Sequence, residues 1–72
     1  YVEDDETIRE GFVYILKRFI KNIIIAEDGK EGLKKYLLYK PDLIITDIQM
    51  PKMNGLDMIE EIRKVDKDIQ II

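Results

Sequence analysis

Asp47 stands where an acid can do chemistry. It follows Leu43-Ile44-Ile45-Thr46, an apolar run without alternation that reads as a strand buried on both faces. It precedes a loop punctuated by Pro51 and Asn54-Gly55, after which a helical pattern resumes at Leu56. The acid therefore sits at the carboxyl end of a strand, the edge at which open α/β sheets carry their ligands. Glu3-Asp4-Asp5 follows Tyr1-Val2 and occupies the same kind of position. Two acidic strand ends at one sheet edge predict a divalent cation and a carboxylate that reacts.

Magnesium prefers oxygen ligands and keeps several waters, so two or three carboxylates make a site. If the first and third strands are neighbours, about 4.8 Å apart, their ends bring Glu3, Asp4 and Asp47 together. Crowded carboxylates repel one another, and a bound cation resolves the repulsion. A carboxylate beside magnesium can attack a phosphoryl group to give an acyl phosphate, the protein supplying position and charge neutralisation.

The elements that must place these acids follow from periodicity. Residues 1–2 are the stub of a first strand. Over residues 6–19, Ile8, Phe12, Ile15, Leu16 and Phe19 recur at helical spacing and are expected inward, with Arg9, Glu10, Lys17 and Arg18 on the other face. Asp5 or Thr7 caps this helix, Thr7 with Glu10 fitting a capping box. Residues 22–26 carry Ile23-Ile24-Ile25, a β-branched second strand. Residues 30–39 are a second helix with Leu33, Tyr36 and Leu37 inward, ended by Lys40-Pro41. Residues 43–47 are the third strand. Residues 56–65 are a third helix with Ile59 and Ile62 inward, and residues 69–72 begin a fourth strand. Alternating strands and helices imply a parallel sheet in an α/β fold.

Composition narrows the function. The chain has 72 residues, a formal charge of −3 and no Cys, His or Trp. Lys and Arg are dispersed, which predicts no direct contact with nucleic acid. Without Cys there is no disulfide framework and no thiolate chemistry, in keeping with a reducing compartment. No apolar run approaches the roughly 18 residues of a membrane span. The chain opens inside one expected strand and stops inside another, so it reads as part of one domain.

In Val2-Glu3-Asp4 followed by Arg9, in Ala26-Glu27-Asp28-Gly29, in Pro41-Asp42-Leu43-Ile44 and above all in Asp47-x-x-Met50-Pro51-x-Met53-x-Gly55, the chain resembles the receiver domain of two-component response regulators. The resemblance covers the whole chain. It implies a flavodoxin-like doubly wound sheet of strand order 2-1-3-4-5, for which receivers are themselves a type case. It also implies a domain cut after its fourth strand, lacking the final helix-strand-helix. Asp47 is then the phosphoacceptor, with Glu3, Asp4, Asp47 and the backbone carbonyl of Gln49 holding Mg2+. The implied partners are a histidine kinase or phosphotransfer protein and an unspecified output domain, in the cytoplasm. Such a domain is a switch and not a turnover enzyme.

Plainer readings compete at each position. A lone acid at a strand end is ordinarily a helix cap or a solvated turn residue; Met50, Pro51, Met53 and Gly55 in register decide against that for Asp47. Glu3, Asp4 and Asp5 are also placed to favour a helix dipole, and Asp5 reads as a cap, not a ligand. Asn54-Gly55 is a hairpin signal elsewhere, but the flanks lack alternation. Gly55 is expected to allow an unusual backbone angle and a close approach, and Met50 and Met53 to pack the loop down. Three functions follow in order: a phosphoacceptor module, a phosphorylation-independent interaction module of the same fold, and a phosphoaspartyl hydrolase or flavin protein. The last fits poorly. Ile48 and Gln49 provide no general acid beside the nucleophile, and acids stand where a flavin phosphate would sit.

Overall fold

The computed structural model describes residues 1–72. Three helices, α1 (Glu6–Leu16), α2 (Gly29–Tyr39) and α3 (Gly55–Val65), alternate with four extended segments. Two segments form regular parallel strands, β1 (Leu43–Ile44) and β2 (Gln70–Ile71), with Leu43 opposite Gln70 and Ile44 opposite Ile71. The other two, residues 1–3 and 24–26, are joined by single parallel bridges from Val2 to Ala26 and from Val2 to Thr46. The order across the sheet is therefore second, first, third, fourth, as the resemblance implies.

The regular strands are shorter than the apolar runs that encode them, and residues 1–3 lie between two neighbours. Those residues divide their bonds by parity. Val2 turns to the third segment, donating to the Ile45 carbonyl at 2.8 Å and accepting from the Asp47 amide at 3.1 Å. Tyr1 and Glu3 turn to the second: the Ala26 amide donates to the Tyr1 carbonyl and the Glu3 amide to the Ala26 carbonyl, both at 3.0 Å. On the outer edge the Ile25 carbonyl is taken by Lys35 Nζ at 2.6 Å, and the same ammonium pairs with Glu31 at 3.1 Å.

Each helix opens on an Asx cap. Asp5 accepts from the Ile8 amide at 2.9 Å, Asp28 from Glu31 at 2.8 Å and Asn54 from Asp57 at 2.9 Å. Of the two caps open to α1, Asp5 takes the position and Thr7 lies within the first turn. The helix ends at Leu16, three residues short of the expected Phe19, in a turn over residues 17–19.

The core lies between the sheet and the packed pair α2 and α3. It comprises Val2, Ala26, Ile44 and Ile69 from the extended segments with Tyr36, Met58 and Ile62 from the helices. Met58 and Ile62 are wholly buried. Met58 was not marked by the sequence pattern, whereas Leu37, expected inward, is 50% exposed. The Tyr36 ring is buried and its hydroxyl donates to Asp66 at 2.8 Å. Asp66 also accepts from the Asp68 and Ile69 amides, each at 3.0 Å. The tyrosine hydroxyl first, then these amides, hold the Asp66 carboxyl below its usual range. The turn from α3 into β2 is thereby tied to α2.

The opposite sheet face is open. Side chains alternate along a strand, so Tyr1 points away from Val2, and its ring meets Phe12 of α1 edge-on at 5.1 Å. No other helix packs on α1, and its apolar stripe is uncovered: Ile8, Ile15 and Phe19 are 56%, 51% and 81% exposed. That departs from the burial the periodicity predicts. A helix needs a second layer to bury a stripe this wide, and only the thin strip of sheet around Tyr1 is available. No helix is long and apolar enough to cross a membrane.

Two outcomes follow. In the full-length protein Met58→Ala should cost about 2–5 kcal/mol in chemical denaturation. Leu56→Ala, on the exposed side of the same helix, should stay within about 0.5 kcal/mol. The isolated 72-residue chain should self-associate through the α1 face. A monomeric sedimentation profile with a cooperative melt would contradict that.

Candidate functional site

The bond from the Asp47 amide to the Val2 carbonyl, 3.1 Å, sets the first and third segments in register at their carboxyl ends. Glu3 and Asp4 follow Val2, and Asp47 lies directly across. The result is a cluster in which carboxylate oxygens of Glu3, Asp4 and Asp47 all lie within 4.8 Å of one another. Glu3 is buried, 8% exposed, while Asp4 and Asp47 open to solvent. The three acids singled out from the sequence are thus brought together. Asp5 is left out of the cluster, on its helix cap.

Burial pushes the Glu3 carboxyl above its usual range, and the neighbouring Asp4 and Asp47 acids push it the same way. The Asp5 amide, which donates to Glu3 Oε2 at 3.2 Å, opposes them in part. Arg9 braces the cluster from behind. The sequence pattern placed it on the outer face of α1, yet it is buried, with Nη1 donating to the Glu3 backbone carbonyl at 2.8 Å. Nη2 lies 3.6 Å from Glu27. Helical periodicity sorts apolar from polar positions and cannot mark a guanidinium whose partner is a backbone carbonyl. The only signal was its place in the quoted motif, after Glu3-Asp4.

The loop after Asp47 is pinned at its start. Asp47 Oδ1 accepts from the Ile48 amide at 2.8 Å, leaving Oδ2 without a bond to the chain. The Gly55 amide donates to the Ile48 carbonyl at 2.6 Å. A Cβ on Gly55 would stand 3.0 Å from Ile48 Cα and 3.1 Å from the Asp47 carbonyl carbon, and would overlap the Asp47 carbonyl oxygen. Glycine is therefore required for close approach. The unusual backbone angle expected of it is absent, since no glycine here has positive φ; that conformation falls to Lys52, at φ 66°. Met50 and Met53 pack against the core, as expected. Gln49 is exposed beside Asp47.

The cluster fits a hard divalent cation. All its donors are carboxylate oxygens, the set magnesium prefers. Burial and, after it, the neighbouring acids raise the Glu3 carboxyl, and a cation would relieve the repulsion among the three. Asp47, exposed like Asp4, stands at the mouth of the loop, where a reacting group has access.

Comparison with known proteins bears on the family and the fold. The family described as response regulator receiver domain matches residues 1–72. The alkaline phosphatase synthesis transcriptional regulatory protein PhoP of Bacillus subtilis is 40% identical over 63 residues, which are 88% of this chain and 26% of that protein. The chemotaxis protein CheY of Thermotoga maritima is 49% identical over 47 residues, 65% of this chain and 39% of that one. The N-terminal domain of an uncharacterized protein from Wolinella succinogenes superposes with a TM-score of 0.91 at 38% identity, covering 97% of this chain and 56% of the other. The chain thus spans well under two thirds of each of these relatives.

Metal binding should be linked to pH through Glu3. In metal-free protein its charged form is disfavoured, so its contribution to stability falls as pH rises through the raised value. A bound cation needs the anion and reverses the sign. The rise in Tm on adding Mg2+ should be greatest at neutral pH and shrink on acidification, beginning above 4.5, the ordinary value for this carboxyl. Thermal melts of the full-length protein with and without Mg2+ across this range check it. A Mg2+ increment that stays constant down to 4.5 would count against the site.

Proposed function

Because the chain belongs to the response regulator receiver domain family, we propose that it takes a phosphoryl group onto Asp47 and acts as a conformational switch in a two-component phosphorelay. The observation that carries this reading is the cluster itself: an exposed Asp47 within 4.8 Å of Glu3 and Asp4, at the mouth of a pinned loop. Asp47 is the nucleophile. Its free carboxylate oxygen attacks the phosphorus of a phosphohistidine, the P–N bond breaks, and the departing imidazole takes up a proton, leaving an acyl phosphate on the chain.

Glu3, Asp4, Asp47 and the backbone carbonyl of Gln49 would hold Mg2+, which when bound neutralises charge on the incoming phosphoryl oxygens. Arg9, bonded to the Glu3 carbonyl, keeps the acid pair in place. Exposed Gln49 flanks the reacting centre, where its side chain is set to influence how long the phosphate lasts. The chain modifies its own side chain and so differs from a turnover enzyme. The donor is a histidine kinase or phosphotransfer protein, and the site of action is the cytoplasm. Phosphorylation adds negative charge at a sheet edge already crowded with acids and so biases the loop and the surface around it. What that surface governs lies with an output partner outside these residues; PhoP is named as a transcriptional regulator and CheY as a chemotaxis protein.

Intact-mass measurement of the full-length protein with acetyl phosphate tests the proposal. One phosphoryl group should be gained with Mg2+, none without it, and none in Asp47→Asn, whose fold should be unchanged. Labelling of Asp47→Asn at the same site would overturn the assignment. A folded wild type that never labels would mark a phosphorylation-independent interaction module.

A further inference from the structure

We propose that Gly29, the first residue of α2, is a positioning residue for the acceptor loop. The inference rests on the reading of Asp47 as phosphoacceptor. The loop from Ile48 to Asn54 touches the rest of the chain through few backbone bonds. At its start Ile48 is held by Gly55; near its end the Met53 carbonyl accepts from the Gly29 amide at 2.9 Å. Gly29 is buried under this contact. A Cβ there would overlap the Met53 carbonyl oxygen and stand 2.7 Å from the Met53 carbonyl carbon and 3.0 Å from the Asn54 carbonyl oxygen. All three are backbone atoms, so a side chain at residue 29 is admitted only by moving the loop.

The glycine is not there for its backbone angle, which is not in the positive-φ region. Nor does helix propensity explain it, since alanine is the better helix former. Close approach to the loop is the remaining reason. Asp28 adds a second tether on the same seat. It is buried, caps α2 through the Glu31 amide, and turns its other oxygen to Lys52 Nζ at 3.7 Å. Between the two backbone anchors, Ile48 and Met53, lie Gln49 to Lys52, and Asp47 immediately precedes the first. The seat itself is continuous with residues 24–26, which bond to Glu3. Gly29 thus fixes the loop carrying Asp47 and Gln49 relative to the segment carrying Glu3 and Asp4.

The test compares Gly29→Ala with Gly32→Ala in the full-length protein. Gly32 is also crowded, its Cβ falling 2.6 Å from Met58 Sδ and 2.9 Å from Val2 Cγ2, but those are core side-chain atoms away from the loop. Three quantities are read: Tm, the Mg2+ dissociation constant by calorimetry, and the acetyl phosphate labelling rate at saturating Mg2+ and donor. Gly29→Ala should slow labelling at saturation on the order of 10- to 100-fold, as misplacement of reacting groups does, and weaken Mg2+ binding. Gly32→Ala should lower Tm and label at the wild-type rate. Equal labelling by Gly29→Ala and wild type, or parallel losses in the two variants, would overturn the inference. Should Gly29→Ala fail to fold, Asp28→Asn keeps a good cap but removes the charge facing Lys52. It should slow labelling about two- to fivefold, the reach of a long ion pair with one solvent-exposed partner, at unchanged Tm; a wild-type rate there also overturns the inference. If the wild type itself does not label, the reading of Asp47 falls and the inference with it.

Discussion

One backbone hydrogen bond, from the Asp47 amide to the Val2 carbonyl, sets the geometry on which the site depends. Parallel strands have a period of two, and a slip of one residue turns every side chain to the other face. With Val2 facing the third segment, Glu3 must face the second, Tyr1 must lie under α1, and the acids after Val2 must arrive opposite Asp47. The same register sends Val2 into the α2–α3 core. Packing and chemistry are thus specified by a single choice of phase, and the apolar side of the sheet keeps the acidic ends from drifting apart.

Those ends are held together against their own repulsion. Glu3 has a raised carboxyl, through burial first and the neighbouring acids second, opposed by the Asp5 amide, while a buried guanidinium holds its backbone carbonyl. Arg9 spends its closest contact on a carbonyl. It stiffens the strand end while leaving the three carboxylates free for a ligand. The loop is treated in the same way. It is fastened through main-chain atoms at two glycines, Gly29 and Gly55, so that the Asp47 side chain carries only a local bond to Ile48.

Much of this was legible in the residues. The helices, a cap at Asp5 or Thr7 and the acid trio declare themselves by periodicity, capping chemistry and strand-end placement, whereas the cap at Asp28 emerges only in the structure. The strand order was supplied by resemblance, because local pattern cannot say which parallel strands are neighbours. Three features escaped for physical reasons. Arg9 was read as solvent-facing because its partner is a carbonyl, to which side-chain patterns are blind. Gly55 was credited with an angle that falls instead on Lys52; proximity and strain produce the same residue choice and only coordinates separate them. The α1 stripe was expected inward because periodicity reports that a face is apolar, not that anything covers it.

The two margins of the sheet are not equivalent. On one side the outward Ile25 carbonyl is plugged by the Lys35 ammonium, itself steadied by Glu31. On the other, β2 pairs in parallel with β1. Natural edges defended by lysine resist the docking of foreign strands, whereas bare ones invite it. The margin at residues 24–26 is therefore closed to growth: a strand offered by another molecule finds its first outward carbonyl already occupied and is refused there.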